Sequence, residues 1–372
     1  MKKILMVIGT RPEAIKMAPV IREIELHPKD FELHICVTGQ HRSMLDQVLF
    51  FFQINPHTDL DLMEPNQSLA SLTAKLMTGL SNIVKEFAPD IVMVHGDTTT
   101  AMVASLAAFY EQKKIMHIEA GLRTHTIESP FPEEANRQII SRLASWHMTP
   151  TSLAQLALLK EGVKPEMIRV TGNTVIDSLN LGLKIIEDSG SLKLLQFKKQ
   201  ISSGRVILVT SHRRENQGQG IIEICQALKA IALQNPDIQI VFPVHLNPKI
   251  IDTVKDQLKG IRNILLIEPL DYERFLWLMQ HSYLIITDSG GIQEEAPSLN
   301  KPVLVMREET ERQEAVDCGA VILVANKKER IVNETQRLLD DDELYQRMAG
   351  ATNPYGNGTA ARQIIDSLKK IV

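Results

Sequence analysis

DIVMVHGDTTT, residues 90–100, sets a short apolar run ahead of a glycine, an aspartate and three threonines, and the segment AMVASLAAFY (101–110) follows. Apolar run, polar turn, then helical segment is the unit from which parallel α/β sheets are built. Outward from this stretch the unit recurs. KILMVIG, FELHICV and KIMHIE accompany it in the first half, and RVILVT, IQIVFPV, NILLIEP, SYLIITD and KPVLVM form a second series. The two series predict two doubly wound domains with mostly parallel sheets covered on both faces. Ligand groups are expected at the carboxyl rims of the strands, across a cleft between the domains. Residues 173–204 carry helical periodicity and then a polar Ser/Gly patch, which places the connection there. The expected division is 1–172 and 173–358, with a last helix over 359–372, N-capped by Thr359, packing back on the first domain.

Composition narrows the class. A chain of 372 residues exceeds one ordinary core, which suits ~2 or 3 domains. A formal net charge of -4, with Lys and Arg dispersed, leaves no basic field for nucleic acid. Cys36, Cys225 and Cys318 are odd in number and far apart, which speaks against a disulfide framework or a zinc site and for a reducing, cytoplasmic compartment. No apolar run approaches the ~18 residues of a spanning helix, so no membrane contact is expected. The opening MKKILMVIG is cut short by Arg11, Pro12 and Glu13 and reads as the first strand rather than a signal segment.

Three acids follow likely strand ends: Asp97, Glu119 in KIMHIEAGLR (114–123) and Glu133 in ESPFPEEANRQ (128–138). Strand ends in a parallel sheet share one rim, so these groups converge and point to proton transfer. The plainer alternative is structural, with these acids and Glu134 paired to Arg123 and Arg137. His95, Asp97, His117 and Glu119 invite a metal, but zinc-type spacing is missing and no metal or cofactor is expected. VIGTRPEAIK (7–16) lacks the three glycines of a dinucleotide fingerprint. Arg11 there can meet a phosphate; the alternative is a surface pair with Glu13. In TDSGGIQEE (287–295), Ser289, Gly290 and Gly291 read as an anion cradle before a helix starting near Ile292, with Glu294 or Glu295 placed for ribose hydroxyls. TSHRREN (210–216) brings His212, Arg213 and Arg214 to the same rim, and His245 in FPVHLNP is a weaker candidate.

GTRPEAIKMAPV, TGQHRSMLDQ, VHGDTTTA, HIEAGLRTH, PFPEEANRQ, VTGNTVIDSL, TSHRREN and TDSGGIQEEAPSLNKPVLVMREETERQEA, in this order, closely resemble the non-hydrolysing UDP-N-acetylglucosamine 2-epimerase family. The match runs from Gly9 to about Gly358. The resemblance implies two Rossmann-like domains of the glycosyltransferase-B type and a homodimer. It also implies reversible conversion of UDP-GlcNAc into UDP-ManNAc for polysaccharide biosynthesis. It assigns acid/base work to Asp97, Glu119 and Glu133, with His212 beside them. The UDP side falls to Arg11, His212, Ser289, Gly290, Gly291 and Glu295, and Lys16 and Arg137 line the site. An activating second UDP-GlcNAc pocket would draw on Gln40, Gln67, Arg213 and His245.

Such chemistry needs acids on both faces of the sugar. The C2 hydrogen has no neighbouring carbonyl, and loss of UDP from C1 supplies the missing electron sink. One carboxylate then removes the proton, giving 2-acetamidoglucal, and another returns a proton to the opposite face. The rivals are a hydrolysing epimerase, a glycosyltransferase of the same fold and a non-catalytic nucleotide-sugar sensor.

Overall fold

The computed structural model describes residues 1–39, 42–62, 64, 67–211, 218–244 and 247–371. The chain packs into two units, 1–181 with 355–372, and 182–354.

The first unit carries seven parallel strands in the order β3-β2-β1-β4-β5-β6-β7: β1 (Lys2–Ile8), β2 (Phe31–Val37), β3 (Thr58–Asp59), β4 (Ile91–His95), β5 (Lys114–Ile118), β6 (Trp146–Thr149) and β7 (Ile168–Val170). Its helices are α1 (Arg11–Glu25), α2 (Arg42–Phe51), α3 (Leu69–Phe87), α4 (Thr99–Tyr110), α5 (Glu133–Leu143), α6 (Ser152–Lys160) and the start of α7 (Thr174–Asp188). Order reverses between β1 and β4, the switch point where doubly wound sheets open a crevice at their carboxyl ends. β4 is apolar throughout except for its last residue, and all five of its residues are buried, as a strand covered on both faces must be.

Small residues let the elements close up at this point. Ala101, Ala104, Ala107 and Ala108 of α4 are buried, so that helix lies close to the sheet and to α3 and α5. Gly9, at the end of β1, abuts the start of α4, and an added Cβ would stand 2.7 Å from the Thr100 Cβ. The β1–α1 turn and the α4 N-terminus are thereby brought into contact.

The second unit carries α8 (Leu192–Lys198), β8 (Val206–Thr210), α9 (Gln219–Gln234), β9 (Gln239–Pro243), α10 (Pro248–Leu258), β10 (Ile264–Ile267), α11 (Tyr272–His281), β11 (Leu284–Thr287), α12 (Gly290–Glu295), β12 (Val303–Val305), α13 (Gln313–Asp317), β13 (Val321–Leu323), α14 (Lys328–Asp340) and α15 (Asp342–Ala349). Its six parallel strands run β10-β9-β8-β11-β12-β13, with the reversal between β8 and β11. Among the described residues no helix is long and apolar enough to cross a membrane.

The last helix, α16 (Ala360–Ile371), belongs to the first unit and packs on α1 through a buried stripe that includes Ala361, Ile364, Ile365 and Leu368. Its first two amides, Ala360 and Ala361, donate to the Asp177 carboxylate of α7 at 3.1 and 2.9 Å. Thr359 sits just ahead of the helix, where its hydroxyl donates to Asn357 and accepts from Gln363. The cap therefore reaches across from another helix. Burial pushes the Asp177 carboxyl up to about 6 against the pull of those amides. Replacing Asp177 with Ala should cost about 1 kcal/mol, the usual value of a lost N-cap. A lower urea midpoint with faster hydrogen exchange over 360–371 is the expected result, and exchange unchanged there would contradict it.

Candidate active site

The rim of the first unit is set by strand register. His95 of β4 pairs with Ile118 of β5, and Gly96 N donates to the Ile118 carbonyl at 2.9 Å. The next residues, Asp97 and Glu119, therefore emerge side by side. Glu119 has φ of 62°, a left-handed conformation that costs a non-glycine residue about 1 kcal/mol and that clusters at functional sites. Several contacts hold it there. Its Oε2 accepts from the Lys16 ammonium and from Asn173 Nδ2 at 2.7 Å, and His95 Nε2 lies 3.8 Å away.

Asp97 accepts from Arg137 Nη1 at 2.5 Å, while Asn136 Nδ2 donates to the Asp97 carbonyl at 2.8 Å. Burial holds the Asp97 carboxyl above the usual aspartate range. Arg137 opposes that shift, and the neighbouring charges of Glu119 and Glu133 reinforce it. Two of the acids named from sequence thus act on the third. Glu133 does not follow a strand as the sequence suggested, since β5 ends at Ile118 and Glu133 opens α5; its buried Oε2 has no hydrogen-bond partner among the described residues.

Glu134 is the structural member of the group. Arg137 Nη2 donates to it at 2.8 Å, Thr124 N at 3.1 Å and Gln138 Nε2 at 3.0 Å. Burial works to raise its pKa, but these donors outweigh burial and leave it lowered. Arg123, expected among the acids, pairs with Glu161 at 2.7 Å instead.

Glu13 departs further from the sequence reading of a surface partner for Arg11. It is 2% exposed. Its Oε2 accepts from Gly9 N at 3.0 Å and Thr10 N at 2.6 Å, and its Oε1 accepts from the Thr98 hydroxyl at 2.7 Å. With Thr10 it forms a reciprocal cap at the start of α1, and Thr98 is the cap of α4. One buried carboxylate thereby pins the turn carrying Arg11 to the turn carrying Asp97. Burial drives its pKa up to about 7.

Beneath this rim run three buried histidines. Burial pushes His95 to about 4, His117 to about 3 and His147 to about 4, so all are neutral at neutral pH. His117 Nε2 bonds the Gly96 carbonyl at 2.7 Å and steadies the turn before Asp97. Among the described residues no group of three or more His, Cys, Asp or Glu side chains is arranged to hold a metal ion.

The second unit has its own rim at the end of β11. The helix there starts at Gly290, with Ser289 as N-cap, two residues earlier than the sequence suggests. Ser289 N donates inward to the Thr287 hydroxyl at 2.9 Å, and Thr287 bonds Thr210 of β8 at 2.6 Å. Gly290 lies close to Arg312, and a Cβ there would stand 3.2 Å from its guanidinium carbon. Arg312 is held by Glu294 at 2.9 Å and Glu311 at 2.9 Å, so Glu294 is committed to Arg312, and Glu295 is buried. Gln67, in the segment before α3, bonds the Glu64 backbone. Gln40, His212, Arg213, Arg214 and His245 lie outside the described residues.

Residues 22–369 match the family model described as UDP-N-acetylglucosamine 2-epimerase. The UDP-N-acetylglucosamine 2-epimerase of Campylobacter jejuni is 54% identical over 99% of this chain and 98% of that protein. That of Escherichia coli strain K12 is 51% identical over 99% and 98%. Among solved structures, the Neisseria meningitidis enzyme bound to UDP-GlcNAc superposes with a TM-score of 0.91 at 47% identity, covering 99% of this chain and 100% of that one. The Methanocaldococcus jannaschii enzyme in complex with UDP-GlcNAc and UDP gives 0.82 at 32% identity, with 99% of each chain covered. The two parallel sheets are thus those of a glycosyltransferase-B-like fold.

The raised pKa of Glu13 has a stability signature. Between the ordinary 4.5 and about 7 the folded chain binds this proton more tightly than the unfolded chain, so stability falls as pH rises through that window. Glu13→Gln cannot titrate, and its unfolding free energy should decline less from pH 5 to 7 than that of the parent. Equal slopes in urea titrations at the two pH values would contradict the assignment.

Proposed function

Because the chain belongs to the UDP-N-acetylglucosamine 2-epimerase family, we propose that its acidic rim carries out the reversible inversion at sugar C2 that interconverts UDP-GlcNAc and UDP-ManNAc. One observation carries the assignment of residues: Asp97 and Glu119, from the turns after β4 and β5, and Glu133, from the start of α5, lie close enough for the charges of the two glutamates to shift Asp97.

In UDP-GlcNAc the C2 hydrogen is axial and opposite the axial UDP. A carboxylate on the face away from the diphosphate removes that proton as the C1–O bond breaks. The C2–H electron pair becomes the C1=C2 bond of 2-acetamidoglucal, and UDP leaves with the C1–O pair. A second carboxyl group on the opposite face then protonates C2, and UDP oxygen adds back to C1. Asp97, with its raised pKa, suits the proton-donating role, and Glu119, paired with Lys16, suits the accepting one. Glu133 completes the set.

The departing diphosphate gains negative charge. Arg11, His212 and the first-turn amides of Gly290 and Gly291 would stabilise it in place, with Ser289 and Glu295 fixing the nucleotide. Retaining UDP lets the intermediate be recaptured, which makes the reaction an epimerisation rather than a hydrolysis. Arg137 and Lys16 keep the acids oriented. A second, activating UDP-GlcNAc pocket at Gln40, Gln67, Arg213 and His245 belongs to the same reading, and the buried Gln67 Nε2 lacks an acceptor among the described residues. So do a cytoplasmic location, which the free Cys36, Cys225 and Cys318 suit, and a homodimer, which the exposed Phe109 and Tyr110 at the end of α4 would help to form.

Incubation with UDP-GlcNAc in heavy water should place deuterium at C2 of both epimers. Turnover without C2 label would reject elimination and re-addition in favour of glycosyl transfer, and binding without turnover would leave only a sensor. Asp97→Asn should bind UDP as the parent does and lose at least about 100-fold in kcat, the scale of a lost acid/base group. Parental kcat in that variant would remove Asp97 from the mechanism.

A further inference from the structure

Asn173 stands between β7 and α7 in VTGNTV (170–175) and is 2% exposed. Its side chain is fixed at both ends. The amide oxygen accepts from Val175 N at 3.0 Å, which settles which way round the amide lies. The amide nitrogen donates to Glu119 Oε2 at 2.7 Å. Its backbone is fixed as well, with Asn173 N donating to the Tyr355 carbonyl at 2.7 Å. Gly172, at φ of 88°, allows this close approach, since a Cβ there would stand 3.1 Å from that carbonyl oxygen.

Resting on the reading above that Glu119 takes part in proton transfer at C2, we propose that Asn173 is a positioning residue. Its amide fixes the plane of the Glu119 carboxylate and ties that plane to the returning C-terminal segment at Tyr355. Lys16 cannot do this alone. An ammonium on a four-carbon stem is a point charge that follows a carboxylate as it turns, whereas a planar amide locked by Val175 admits one orientation. The need is greater because Glu119 sits in a left-handed backbone conformation, which persists only where its surroundings over-determine it. Proton transfer is sensitive to this geometry, and a displacement of ~1 Å costs on the order of 100-fold in rate.

Two variants test the role while sparing the local fold. Asn173→Ser retains an oxygen for the Val175 amide and loses the reach to Glu119. Its kcat should fall about 10- to 100-fold, the worth of a hydrogen bond to a charged group, with KM and UDP affinity changed less than about threefold. Asn173→Asp keeps the same acceptor but sets a second carboxylate against Glu119. The acidic limb of its kcat–pH profile should move to higher pH, an effect that a merely structural role would not produce. Parental kcat in the Ser variant, or an unmoved profile in the Asp variant, would overturn the inference. Glu119→Gln separates the two claims. Inactive Glu119→Gln beside a fully active Asn173→Ser refutes only the role of Asn173, whereas parental turnover in Glu119→Gln removes the reading of Glu119 itself.

Discussion

The contact of Lys16 with Glu119 is the interaction around which the first unit's rim is organised. Asp97, Glu119, Glu133 and Glu134 share this rim, and carboxylates gathered in one place repel one another. Lys16 and Arg137 answer that repulsion from α1 and α5. The compensation is partial. Glu134, with three donors, is fully settled, while Asp97 still feels Glu119 and Glu133 and holds its proton more tightly than an ordinary aspartate. That unevenness is what an epimerase needs, since one acid must give a proton where another takes one. The buried histidines beneath add no charge, because their own desolvation keeps them neutral.

Rigidity comes from a second layer. Gly9 allows the β1–α1 turn to touch the start of α4, and the contact lets Glu13 cap one helix while receiving the hydroxyl that caps the other. Arg11 and Asp97 are consequently carried on turns that cannot shift independently. Asn173 does the same for Glu119, and Asp177, one turn along α7, holds the first amides of α16. The segment that returns from 355 is therefore bound at two points to the helix that follows the acidic rim.

Much of this was legible in the chain. The nine apolar runs all became strands, and in those buried on both faces, such as β4 and β8, the run is apolar almost throughout. β3, β6, β7 and β13 went unread. They are two to four residues long; β6 contains the buried His147 and β7 exposes Arg169, which break the apolar pattern, whereas β13 lies in the apolar run AVILVA (320–325) and could have been read. At the rim, Asp97 and Glu119 could be expected near each other because each comes just after a strand, and the strand ends of a parallel sheet share one edge. The alternative that made Glu13 a surface partner of Arg11 fails, because Glu13 is buried and its partners include Thr98, which lies far along the chain. Arg312 and Asn173 lay inside quoted motifs, but their partners are distant in sequence.

The sequence by itself determined the main strands of the two series, Asp97 and Glu119 just after two of them, the small residues that let turns close, and the family to which the chain belongs. These follow from local pattern and from the order of motifs. Only the tertiary structure decided which charges face one another: Lys16 with Glu119, Arg137 with Asp97 and Glu134, Arg123 with Glu161, Arg312 with Glu294. It also decided the left-handed backbone at Glu119 and the proton affinity of Asp97. The physical reason is that pairing and desolvation depend on distances set by strand register and helix packing, and residues such as Lys16 and Glu119 meet only when the sheet has formed.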